Sequence, residues 1–417
     1  MTHTHIIGAG LAGISAALAL AAAGRPATLY EAGPAAGGRC RSYFDRELDC
    51  RIDNGNHLVL SGNRAVMAYL ETIGARHLMG GPGVALFPFI DVSTGERWTV
   101  APDPGPVPWW VFRRARRVPG TDLGEYLQLL HLRRAGADET VAHALDAKSA
   151  LYHKLLEPLA VAALNTPPDA ALARLLDTVV RETLGRGGRA CIPLYPREGL
   201  SETFIDPAIA HLAARGTALR TGRRIAALRN EANRITAMET PDGPIAVTAG
   251  ESVVLAVPPP VAGGLLPWLT VPDAFEAILN IHFKIDATPP DTLSGAGFIG
   301  VIGGAAEWIF LKPGVVSVTI SAANRLVDRS AEDIAALVWP DVAAALGLSG
   351  GMPAARVVKE RRATFAATAA QEMRRPGPRT SLANLVLAGD WTATGLPATI
   401  EGAIRSGRAA ADAVLTI

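Results

Sequence analysis

The sequence predicts an α/β protein: a Rossmann-like domain, split along the chain, with a mixed α+β domain inserted into it. Three observations carry this. Near the N-terminus Ile6-Ile7-Gly8-Ala9-Gly10-Leu11-Ala12-Gly13 joins an apolar run to an alanine-rich one. Glu31 closes the next apolar run. Near the C-terminus Leu385-Val386-Leu387-Ala388-Gly389-Asp390-Trp391 again reads as a buried strand ending at an acid.

Each element follows from its period. Residues 3–8 form a buried strand, 11–24 a helix and 27–31 a second strand, a compact βαβ unit. Residues 84–100 predict a hairpin turning at Ser93-Thr94-Gly95-Glu96. From 121 to 184 the pattern is helical: Leu123, Tyr126, Leu127 and Leu130 recur at helical spacing, as do Leu151, Leu155, Leu156 and Leu159. Strands return at 217–229, 234–240, 245–249 and 252–257, and a further antiparallel set is expected at 279–286, 297–302, 307–311 and 315–321. A helix at 331–346, a strand at 384–388 and a helix at about 398–414 close the chain. The expected division is a discontinuous cofactor domain of 1–70, 185–265 and 350–417, with a substrate domain of 71–184 and 266–349.

The glycine pattern carries chemistry because it lies after a strand and at a helix start. Gly8 makes the turn, Gly10 lets backbone approach a pyrophosphate and Gly13 lets helix pack on strand. The helix start at Leu11 and Ala12 presents unpaired N–H groups and a partial positive charge to phosphate. Glu31, with Ala32 beside it, has the spacing of an acid on adenosine ribose hydroxyls, and an acid there disfavours the 2′-phosphate of NADP. Gly37-Gly38-Arg39 permits close backbone approach and offers an arginine to phosphate. At the far end Gly389 and Asp390 finish a buried strand, and Ala398-Thr399-Ile400 opens a helix whose N-terminus suits the negative charge of a reduced flavin. Ile225 joins the same cofactor set. Two grips this far apart in sequence fit one elongated cofactor held at both ends, FAD. The C-terminal helix is expected to expose Glu401, Arg405, Arg408 and Asp412 at i,i+4 spacing.

Composition narrows the remaining classes. Hydrophobic residues make up 49% of 417, enough for a large core, and a net charge of +1 lacks the basic footprint of nucleic-acid binding. Cys40, Cys50 and Cys191 are few, scattered and without zinc spacing, which fits a reducing, cytoplasmic compartment with no disulfide framework and no metal site. Residues 6–24 lack a basic leader and carry patterned glycines, and Pro258, Pro259, Pro260 and Pro267 interrupt 253–271, so no spanning helix is expected.

These elements, in this order, resemble the flavoprotein superfamily of amine oxidases and carotenoid desaturases. Within it, four segments are similar to the hydroxysqualene dehydroxylases, the flavoenzymes that finish squalene synthesis in bacterial hopanoid pathways. They are Asp53-Asn54-Gly55-Asn56-His57, Leu164-Asn165-Thr166-Pro167-Pro168, Pro196-Arg197-Glu198-Gly199-Leu200-Ser201, and Gly389-Asp390-Trp391-Thr392 with Pro397–Ala403. Asn56 stands where Gln is more usual. The resemblance implies an apolar isoprenoid substrate and reduction of hydroxysqualene to squalene, the hydroxyl leaving as water and hydride arriving from reduced flavin N5. An oxidising desaturase of carotenoid type is the nearest alternative; a non-catalytic prenyl-lipid carrier on the same fold is another.

Such a reaction needs a proton donor and an apolar pocket. His57 and Asp53 are the candidate donors; the competing reading is that Asp53 and Asn54 brace the turn. Trp308, Phe310 and Trp391 either face a cationic intermediate or fill the core. A thirty-carbon hydrocarbon crosses water at roughly 0.8 kcal/mol per CH₂, on the order of 20 kcal/mol in all. Peripheral docking on the inner face of the cytoplasmic membrane is therefore expected, through Trp109, Trp110 and Phe112 beside Arg113, Arg114, Arg116 and Arg117. The other reading of this stretch is a core helix with a solvated basic end.

Overall fold

A computed structural model describes residues 2–285 and 295–417. The last residue of the expected strand 279–286 lies outside them. The N-terminal βαβ unit forms as β1 (Thr4–Ile7), α1 (Leu11–Ala22) and β2 (Ala27–Tyr30). β1 is buried along its whole length because it lies in the middle of a five-stranded parallel sheet. Its order is Ala218–Arg220, β2, β1, Ser252–Leu255, Leu385–Leu387. Three parts of the chain thus meet in one sheet, and the carboxyl ends of β1, β2 and Leu385–Leu387 lie along one edge.

The C-terminal helix Ile400–Leu415 packs on α1. Contact is close because Gly407 has no side chain: a Cβ there would overlap the carbonyl of Ala12. Ser15 Oγ donates across the contact to the Ile404 carbonyl at 2.8 Å.

The second unit is a mixed seven-stranded sheet in the order Ala355–Phe365, Phe275–Lys284, Val315–Ile320, Trp308–Lys312, Phe298–Ile302, Phe87–Asp91, Arg97–Val100. Helix Ala331–Leu346 covers one face, setting Ile334, Val338 and Val342 against Leu279, Ile281 and Val318. The strand Ala355–Phe365 departs from expectation. It pairs with Phe275–Lys284, so the chain returns to the cofactor domain after residue 365 rather than at 350. As an edge strand carrying Lys359-Glu360-Arg361-Arg362 it lacks the apolar alternation that marks a strand in sequence. The segment 121–184 is broken into 3₁₀ turns and short helices, of which Glu157–Leu164 and Ala173–Glu182 are the regular ones, and it shares a core with Phe89, Trp98 and Val100 of the seven-stranded sheet.

Candidate active site

The N-terminal grip is built from absent side chains. Gly8 has φ +104°, and Cβ atoms at Gly8 and Gly13 would overlap the carbonyls of Ala256 and Gly8. A Cβ at Gly10 would meet nothing within 4 Å. Helix α1 starts there with no side-chain cap and no acid in its first turn, so N–H groups of that turn, Ala12 among them, remain for an anion. The Glu31 carboxylate accepts from Ala9 N at 3.0 Å and from Gly33 N at 2.8 Å, tying the loop to β2. Gly37 N donates to the Ala9 carbonyl at 2.8 Å, and a Cβ at Gly38 would lie 3.5 Å from Gly10 Cα. Two glycine turns therefore face one another over an open cradle with Ala32 exposed at its rim. Gly222 N and Arg223 N donate to the carbonyls of Gly33 and Glu31, which brings the chain before Ile225 to this rim, whereas the Ile225 side chain packs into the core with Ile7 and Tyr30.

The C-terminal grip closes on the same place. Arg39 Nη2 reaches both oxygens of Asp390, at 2.8 and 2.7 Å, and Arg39 Nη1 donates to the Ala363 carbonyl. Ala398 is half-buried beside Thr399, which caps the following helix by accepting from Gly402 N at 3.0 Å, and Ile400 is buried. Glu401 corrects an expectation. It is buried, not exposed, and its two oxygens accept from Ala65 N and Val66 N at 3.0 and 2.9 Å, capping helix Arg64–Thr72. Trp391 is core as well: its Nε1 donates to the Val257 carbonyl at 2.9 Å, and it faces no substrate space.

The loop 53–57 crosses from the cofactor half onto the seven-stranded sheet. Asp53 is buried and saturated: one oxygen accepts from Ser42 Oγ at 2.5 Å and Leu200 N at 2.9 Å, and the other pairs with Lys312 Nζ. This is the geometry of a brace. Asn56 Nδ2 donates to Thr319 Oγ1 at 3.1 Å and Asn56 N to Asn280 Oδ1 at 3.3 Å, fastening the loop to two strands. His57 is half-buried and makes no hydrogen bond among the described residues. Desolvation lowers its pKa to about 4; the Asp53 carboxylate opposes the shift, and the Arg39 and Lys312 cations add to it. It is a neutral imidazole at pH 7, lying where Arg39, Asp53 and Lys312 all act on it.

A model of the flavin-containing amine oxidoreductases matches residues 11–415. The chain belongs to that family. Its full-length relatives include the hydroxysqualene dehydroxylases of Sinorhizobium fredii, 48% identical over 99% of this chain and 98% of that protein, and of Zymomonas mobilis, 43% identical over 100% of both. That of Rhodopseudomonas palustris is 48% identical over 99% of this chain and 98% of its own. Among solved structures, cyclohexylamine oxidase from Brevibacterium oxydans has a TM-score of 0.72 at 14% identity, covering 100% of this chain and 99% of its own. An oxidoreductase from Methanosarcina mazei has 0.72 at 15%, covering 97% and 99%. These two likenesses establish the shared fold.

In this family member the sheet face turned away from helix Ala331–Leu346 holds residues that sequence reading passed over. Register places Asn280 beside Thr319, His282 beside Ser317, and Trp308, Phe310 and Lys312 along the next strand. Phe298, Phe87, Phe89 and Trp98 continue the row, with Phe298 6.1 Å from Trp308 and 6.0 Å from Phe310, and Phe89 5.5 Å from Trp308. A polar strip thus adjoins an aromatic one, and the loop 53–57 lies at their boundary. Lys312 had one signal in the sequence: it is one of five lysines in an arginine-rich chain, two residues beyond Phe310 on an alternating run. The motif Asn165-Thr166 proves to be a joint. Asn165 donates to Thr364 Oγ1 at 2.8 Å and accepts from Ala322 N at 2.7 Å, and Thr166 accepts from Ala367 N at 2.8 Å.

The tryptophan pair divides. Trp109 is 60% exposed and Phe112 56%, but Trp110 is 3% exposed and packs edge-on against Tyr126 at 5.4 Å. Trp110 is therefore removed from the expected contact surface, because the 3₁₀ turn Trp109–Phe112 sends adjacent residues to opposite sides. Leu123, Leu127 and Leu130 are exposed on the neighbouring segment that Tyr126 anchors. Arg113 and Arg114 stay exposed, whereas Arg116 pairs with Asp103 and Arg117 bonds the Val111 carbonyl. Among the described residues no helix is long and apolar enough to cross a membrane.

Proposed function

We propose that this chain converts hydroxysqualene to squalene with reduced FAD, releasing the hydroxyl as water. The observation that carries the reading is the near-full-length identity of 43–48% to three hydroxysqualene dehydroxylases. The cradle fits the cofactor: an uncapped helix start, open space above Gly10 and Gly38 opposite it leave room for a pyrophosphate. Leu11, Ala12 and Gly13 would hold phosphate, Glu31 the ribose, and Arg39, Asp390 and the helix start at Thr399 the remainder. When bound, reduced FAD supplies the electron pair and hydrogen that replace the lost hydroxyl.

The chain's own residues do the rest. Trp308, Phe310 and Phe298 form an apolar bed, and their π faces suit a carbon centre that becomes positive as the hydroxyl leaves. His57, which no hydrogen bond among the described residues occupies, is the group to hold the departing hydroxyl and to relay to it the solvent proton that turns it into water. Asp53 holds Lys312 and the loop in place and does not serve as donor. The test is an anaerobic single turnover of the pre-reduced protein with hydroxysqualene, read by mass spectrometry. Squalene is expected; turnover only of phytoene by the oxidised protein would replace this reading with a desaturase.

We further propose peripheral docking on an anionic bilayer through Trp109, Phe112, Leu123, Leu127 and Leu130. Supporting it are their exposure within one stretch of the inserted domain and the exposed cations Arg113, Arg114, Arg133 and Arg134. The apolar cluster beneath contains Trp110, Trp98 and Phe89 and is flanked by Trp308, which links this surface to the aromatic bed.

A further inference from the structure

The loop that carries Asp390 is held from behind by one buried guanidinium. Arg375 follows the short helix Ala369–Glu372, and its side chain is 0% exposed. Its Nη2 donates to the carbonyls of Asp390 at 3.2 Å and Thr392 at 2.5 Å, and to Thr394 Oγ1 at 2.9 Å. Its Nε donates to the Trp391 carbonyl at 3.4 Å, and its Nη1 to Glu372 at 2.6 Å. The guanidinium also lies 4.8 Å from the centre of the Phe365 ring. Every edge of the fork is occupied.

Three consecutive carbonyls gathered on one cation define the loop's conformation, because an extended chain would alternate them. A trans peptide sets C=O and N–H on opposite sides, so drawing the Asp390 carbonyl to Arg375 turns the Trp391 N–H away from it. That N–H, like the N–H of Asp390, has no acceptor among the described residues. On the front of the same loop the Asp390 carboxylate meets Arg39. One arginine thus orients the main chain and another the side chain of a single residue.

We propose that Arg375 is a positioning residue for the cofactor: it presents the free N–H groups and the carboxylate of the 390–391 segment to the flavin end of the clamp. This rests on the reading of the clamp as an FAD site. Arginine is required for its planar fork, since a lysine ammonium would keep the charge but could not span Trp391, Thr392 and Glu372 together.

The test uses the full chain, stripped of flavin and titrated with FAD, comparing wild type, Arg375→Lys and Thr394→Val. For Arg375→Lys we expect FAD affinity to fall about tenfold or more, with a changed visible circular dichroism and a shifted reduction potential of the flavin that still binds. Thr394→Val, which removes one contact of the fork, is expected to move all three in the same direction by less. Bound flavin of wild-type spectrum and potential in Arg375→Lys would overturn the proposal, even if the variant were less stable, because a purely structural role predicts that pattern. If Arg375→Lys does not fold, wild-type affinity, spectrum and potential in Thr394→Val overturn it equally. Failure of the wild-type chain to bind FAD would instead remove the reading of the clamp.

Discussion

Arg39 and Asp390 stand 351 positions apart in the chain and share two hydrogen bonds of 2.8 and 2.7 Å. The pair joins the two glycine grips, one after β2 and the other after Leu385–Leu387, at the edge of one parallel sheet. Asp390 is the buried partner, with 8% of its side chain exposed, and Arg39 is 42% exposed. The arginine can therefore turn toward a phosphate without unfolding its surroundings.

Removing Arg39 should act on cofactor binding more than on folding. Arg39→Met is expected to lower FAD affinity at least about tenfold and to cost about 1–3 kcal/mol of urea stability, since it leaves the buried Asp390 carboxylate without its cation. Titration of flavin-free protein and equilibrium unfolding check this; a large stability loss at unchanged affinity would contradict it.

The two loop glycines should behave in opposite ways. Gly13→Ala places a Cβ into the Gly8 carbonyl and should cost about 1–3 kcal/mol of stability. Gly10→Ala meets open space, so the flavin-free protein should unfold as wild type does, yet bind FAD poorly. Thermal unfolding with and without FAD distinguishes the two.

Acid should destabilise the protein partly through His282. It is 1% exposed, bonds Ser317 Oγ at 2.6 Å, and has its pKa lowered from 6.5 to about 4, chiefly by desolvation and then by the Lys312 cation. Between those values the unfolded chain binds more protons than the native one, so stability rises with pH across that window and is lost as pH falls toward 4. The contribution is at most about 3 kcal/mol. Urea unfolding from pH 7 to pH 4.5 should show the fall, and His282→Gln should flatten it; an unchanged slope would assign the effect to other groups.

The divided tryptophan pair makes a third contrast. Trp109→Ser combined with Phe112→Ser and Leu127→Ser should release the protein from anionic liposomes in sedimentation without changing its melting temperature. Trp110→Ser should do the reverse, costing about 3 kcal/mol or more as a core truncation. Unchanged sedimentation of the triple variant would place the membrane contact elsewhere.

Much of the cofactor half was legible because its signals are local. A strand, a glycine turn and a helix start are consecutive, and Gly389 and Asp390 follow within three residues of the strand Leu385–Leu387. Helix Ala331–Leu346 has the bounds that the sequence led one to expect, and in the structure Ser330 caps it by accepting from Asp333 N. The edge strand Ala355–Phe365 was missed, since charged residues on an exposed edge carry no alternation. Glu401 was read as solvent-exposed because i,i+4 spacing reports which residues share a helix face, not what that face meets.

The sequence by itself determined the α/β class, the order of the elements and the types of group at the clamp, because main-chain turns and period depend on neighbours along the chain. Only the tertiary structure decided that Asp53 is spent on Lys312 and Leu200, that Trp110 is core while Trp109 is not, and that Arg375 gathers three carbonyls of the Asp390 loop. Those are contacts between distant segments, and burial is a property of what packs against a residue rather than of the residue.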